Sequence, residues 1–86
     1  MYRSLTFFVP AESADDATAL LFELGAEGVE VHESWMLREP DAEPVPPGRA
    51  RLVAYASPEA WNEGWADALE ELTGERPDIR VDVVPD

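Results

Sequence analysis

His32 is the single histidine in the 86 residues, and cysteine is absent. A protein metal site needs three or four converging donors. Glu30 and Glu33 lie close to His32, but along a strand Glu33 points to the opposite face. No nucleophile stands where His32 would activate it. The missing thiol removes disulfides, thiolate metal sites and cysteine catalysis together. Carboxylates cluster at Glu12, Asp15 and Asp16, and again at Glu70, Glu71 and Glu75. The first cluster falls at a helix start, where the dipole favours acids; the second falls on an outward helix face. Carboxylates that hydrolyse must converge across a cleft, and nothing brings these together. No glycine pattern cradles a phosphate. The chain reads as non-catalytic, with no metal and no cofactor.

Charge is the strongest compositional signal. Nineteen acids face six bases, a formal −13, and every base is arginine. Phosphate backbones and anionic membranes would repel such a surface. A basic protein partner is attracted at long range. A generally acidic proteome would give the same composition. No apolar run approaches the ~20 residues that span a bilayer. Met1 leads into an alternating run, not into a basic region with an apolar core, so a cytoplasmic location is expected.

The elements follow from periodicity. Tyr2 to Val9 alternates as a strand, and Pro10 ends it. Ser13 is a natural N-cap. Ala14, Ala17, Leu20, Leu21 and Leu24 then share one helical face, and Gly25 closes the helix. Gly28 opens a second strand, with Val29 and Val31 inward and Glu30 and His32 outward; a continuation through Trp35 and Met36 is compatible with the pattern. Residues 38–49 carry four prolines and a glycine and read as a loop or extended connection. Arg51 to Ala56 is the third strand, with Leu52 and Ala54 assigned to the core. Ser57 and Pro58 predict the start of a second helix. Its buried stripe would be Trp61, Trp65, Ala68, Leu69 and Leu72, ending at Thr73 and Gly74. Asp78 to Val84 is the fourth strand.

The order β-α-β-β-α-β predicts one α+β domain over residues 1–86: a ferredoxin-like sandwich with two helices on one face of a four-stranded antiparallel sheet. Right-handed crossovers give the sheet order 4-1-3-2. The other sheet face would stay open. It would carry Ser4, Thr6 and Phe8, Glu30 and His32, Arg51, Val53 and Tyr55, and Arg80 and Asp82. Thr6, Phe8, His32, Val53 and Tyr55, with Trp35 at the rim, are the candidate partner-binding residues. Exposed apolar side chains there suit a contact surface. They also suit a homodimer, or an aromatic pair on the two central strands shielding itself.

Several segments resemble one protein family. They are the strand ending Val9-Pro10, the run from Ala19 to Ala26 (ALLFELGA), the Gly28-Val29 entry to strand two, and Val53-Ala54-Tyr55 ahead of a helix. The order is similar to the N-terminal substrate-recognition domain of the bacterial ribosomal protein L-eleven methyltransferase. That resemblance implies a ferredoxin-like fold and a protein partner, ribosomal protein L-eleven, held for a separate S-adenosylmethionine-dependent domain that is not in this chain. The alternative is a stand-alone ferredoxin-like dimer or a small-molecule-sensing regulatory domain. Against a ligand at the first strand-helix turn stands its sequence, V-P-A-E-S, which has no glycine.

Overall fold

The computed structural model describes residues 2–33 and 45–84. Trp35, Met36 and the proline-rich stretch up to residue 44 lie outside the described residues, as does the last strand's stop at Pro85.

The strands are β1 (Tyr2–Pro10), β2 (Gly28–Glu33), β3 (Arg49–Ala56) and β4 (Arg80–Val84). The helices are α1 (Ala14–Leu24) and α2 (Gly64–Thr73). All strand pairs are antiparallel, in the order β2-β3-β1-β4. This is the expected ferredoxin-like arrangement, with β1 and β3 central. Alternation sorts the side chains as the sequence implies. Leu5, Phe7 and Val9 of β1 and Ala50, Leu52, Ala54 and Ala56 of β3 are buried beneath the helices. Small alanines on β3 let α1 approach, and Ala14, Ala17 and Leu21 fill the space between.

Gly25 stops α1 with a left-handed backbone, φ 114°. The Ala26 N–H then donates to the Leu21 carbonyl at 2.9 Å, closing the last turn before β2. A side chain at Gly25 would be strained by that φ, and its Cβ would come within 3.3 Å of Ala60 Cβ.

The N-terminal ends of both helices differ from expectation. A 3-10 turn, Ala11–Ser13, precedes α1, and Ser13 makes no side-chain capping bond. The second helix does not begin at Pro58. Ser57 O instead accepts the N–H groups of Ala60 and Trp61, making an isolated turn. Asn62 Oδ1 accepts the Gly64 N–H at 2.8 Å, and α2 starts there. Trp61 therefore lies outside the helix, edge-on to Trp65 at 5.6 Å. Ala68 is half-buried and Leu72 is 42% exposed, so of the expected stripe only Trp65 and Leu69 are buried in α2, joined by Ala66. The helix α2 lies beside α1. Val81 and Val83 face the helix side of β4 yet remain 39% and 55% exposed.

Candidate functional site

The open sheet face is organised in rows across the strands. His32 lies opposite Arg51, which lies opposite Phe8. The next row is Glu30, Val53, Thr6 and Arg80; the third is Gly28, Tyr55, Ser4 and Asp82. The structure thus gathers Thr6, Phe8, His32, Val53 and Tyr55 on one face. Trp35 is outside the described residues.

Phe8 and Tyr55 do not shield each other. Phe8 opposes Arg51, four residues from Tyr55 along β3. At ~3.4 Å per residue their positions are ~14 Å apart. Thr6 and Val53 lie between them, so the apolar groups form a diagonal stripe. Phe8 is 36% exposed.

Polar contacts of Tyr55 and of Arg49 tie parts of this face together. The Tyr55 hydroxyl donates to Glu30 Oε2 at 2.6 Å. That bond, with partial burial and the Glu30 charge, holds the Tyr55 phenol above its ordinary value. At the other end Arg49 donates twice to the Glu75 carboxylate, clipping the segment that leads into β4 onto central strand β3. The arginine hydrogen bond holds Glu75 below the usual carboxylate range. Its contribution is present above the unfolded value and is lost only as pH falls through the lowered folded one. Both partners are solvated, so the clip sets position more than stability.

The Tyr55 contact has the opposite pH sign. Its folded-state value is raised, so its contribution is complete below the unfolded value, about 10, and is lost as pH rises through the folded value. Tyr55→Phe is expected to lower stability by about 0.5–1 kcal/mol at neutral pH. The gap to the parent should close in strong alkali. Urea denaturation across that range checks it; a gap independent of pH would contradict the assignment.

A hollow of about 220 Å³ opens where β4 begins, lined by Thr6, Phe7, Phe8, Asp78 and Arg80. Thr6 faces Arg80 in the register, and β4 has not yet formed opposite Phe8. The residues that line it include an aromatic, a threonine, an arginine and an aspartate, and Arg80 Nε also lies 3.4 Å from Asp82 Oδ2. The sequence placed Thr6, Phe8 and Arg80 on this face but did not single out Asp78 or Arg80. Their convergence depends on the β1–β4 register, which the 74–79 connection sets. A larger hollow of about 350 Å³ lies between the helices, lined by Leu20, Ala68, Glu71 and Leu72. Glu71 is its one charged side chain, so little there would orient a ligand.

Among the described residues no group of three or more His, Cys, Asp or Glu side chains is placed to hold a metal ion. No described helix is long and apolar enough to cross a membrane.

No protein-family model matches the chain. No curated protein sequence matches it. The structure is similar to that of a divalent cation tolerance protein (Cut A1) from Thermus thermophilus. The TM-score is 0.72, over 100% of this chain and 86% of that one, at 19% identity. At that identity the likeness is one of fold. It corrects the expected kinship: this structural neighbour is a cation tolerance protein, and nothing found points to a ribosomal protein L-eleven methyltransferase domain. The recognition role drawn from that kinship falls with it. The segment behind the resemblance has a local explanation. Leu21 is core, Gly25 is the left-handed stop, and Ala26 closes the turn into β2. Any helix-to-strand turn of this shape asks for such residues.

Proposed function

We propose that this chain is a non-catalytic sensing module that takes a small zwitterion with a single ring at the β1–β4 end of its open sheet face. The observation that carries the reading is the meeting of Phe8, Thr6, Arg80 and Asp78 around one hollow. Arg80 suits a carboxylate, Asp78 an ammonium, and Phe8 a ring edge or face. The volume, about 220 Å³, lies below the ~300 Å³ at which drug-sized sites begin. It equals about seven waters' share of liquid, which argues for one ring and against a nucleotide. The formal −13 supports the same choice, because a net anion is repelled where a zwitterion is not.

The Tyr55 contact argues against one catalytic role. A tyrosine base needs a lowered phenol value, and Glu30 raises this one. The cation in the structural neighbour's name is not carried to this chain, since no donor cluster among the described residues would receive it. The rest of the stripe, Val53, Tyr55 and His32, continues the same face away from the hollow.

The test is an NMR titration with L-phenylalanine as probe. Amide shifts confined to the surroundings of Thr6, Phe8 and Arg80, saturating in the millimolar range, are expected. Phe8→Ala should weaken binding about tenfold, the size of one aromatic contact. An absence of shifts, or shifts centred on Leu20 and Leu72, would overturn the reading.

A further inference from the structure

β4 is an outer strand, paired only with β1 among the described residues. Outer strands are normally guarded by inward charges, proline, a bulge or a covering helix. β4 lacks the inward charges. On the helix side it shows Val81 and Val83, both well exposed. Its two charges, Arg80 and Asp82, both lie on the open face. The opposite outer strand is better covered: Val29 and Val31 of β2 are half-buried and packed against the core.

We propose that a second copy of this chain adds to β4 antiparallel, on a two-fold axis through Val81. The register follows from charge. Centring the pair on Asp82 would set two carboxylates against each other, and centring it on Arg80 would oppose two guanidiniums; directly opposed like charges destabilise a sheet. Centring on Val81 puts Arg80 opposite the partner's Asp82, and does so twice by symmetry. On the helix side Val81 meets the partner's Val81, and Ile79 meets the partner's Val83. One register therefore satisfies both faces, and the sheet grows to eight strands. Within one copy Arg80 and Asp82 already lie 3.4 Å apart, at 64% and 58% side-chain exposure, so exchanging partners needs no unfolding.

The contact is short. Five paired residues span ~17 Å, well short of a standard interface of ~1,600 Å². Each copy also brings −13. The dimer is therefore weak and concentration-dependent, and it is measured at ~0.15 M salt, where the Debye length is ~8 Å. Arg80 also lines the hollow of the ligand reading, and the two are separated by their tests: Asp82→Arg leaves Thr6, Phe8, Asp78 and Arg80 in place, and L-phenylalanine binding and self-association are read separately.

Sedimentation equilibrium tests it. The parent chain should approach twice its monomer mass at high concentration. Asp82→Arg should weaken the dimer at least tenfold, with an unchanged circular dichroism spectrum. The double variant Arg80→Asp with Asp82→Arg restores opposite charges in the same register and should recover the dimer. A chain that stays monomeric, a dimer indifferent to Asp82→Arg, or a double variant that fails to recover while folded would each overturn the proposal.

Discussion

Trp65→Ala should cost about 3–5 kcal/mol, the range for truncating a buried tryptophan. Trp65 is 2% exposed and heads the largest fully buried side chains. It sits in the first turn of α2 and belongs to the same core cluster as Leu5, Leu52 and Leu21. This long side chain carries α2 into the cluster that both helices share with the sheet. Its Nε1 also donates to the Ala60 carbonyl at 3.1 Å, tying the irregular 57–63 segment to the helix. Removing it opens a cavity, frees that carbonyl and loses the edge-on contact with Trp61. Domains of this size have about 5–15 kcal/mol in all, so the variant should be close to unfolding. Urea denaturation followed by circular dichroism checks it. A loss under 1 kcal/mol would mean that α2 is not held through this residue.

Leu21→Ala is the second large effect, about 2–5 kcal/mol. Leu21 is fully buried in the middle of the cluster that joins α1 to the sheet. Its carbonyl accepts the Ala26 N–H that closes the helix, so the backbone around it is fixed by the Gly25 turn. A rigid turn leaves little freedom for the site to collapse onto the gap, which places the expected loss in the upper half of that range. Phe22→Ala, one position along, is the control: Phe22 is 51% exposed and should change stability little. Equal losses at both positions would contradict the assigned helix face.

The sheet was largely legible because its signal is local. Alternation in Leu5-Thr6-Phe7-Phe8-Val9 and in Arg51-Leu52-Val53-Ala54-Tyr55 assigns the faces residue by residue, and the structure keeps those assignments. Gly25 and Gly74 marked both helix ends and take φ 114° and 81°. The start of α2 was not legible. Ser57-Pro58 can open a helix or a single turn with equal ease, and the choice is made at Asn62 and Gly64. Nor was the exposure of Leu72, Val81 and Val83 legible, since their apolar pattern matches that of buried positions. The candidate site was half legible. Faces can be read from period two, but rows cannot. That Phe8 opposes Arg51 and not Tyr55 is set by the β1–β3 register, and that Thr6 meets Arg80 depends on how the 74–79 segment, tethered by Arg49 and Glu75, delivers β4 to β1.

The central claim is that the hollow beside Phe8 reads both charges of a zwitterion. Its most direct measurement is a parallel NMR titration with L-phenylalanine, phenylacetate, which lacks the ammonium, and phenethylamine, which lacks the carboxylate. The account predicts that L-phenylalanine binds at least tenfold more tightly than phenylacetate, and that Asp78→Asn removes most of that advantage. Equal shifts from all three, or tightest binding by phenethylamine through general attraction to the −13 surface, would contradict it.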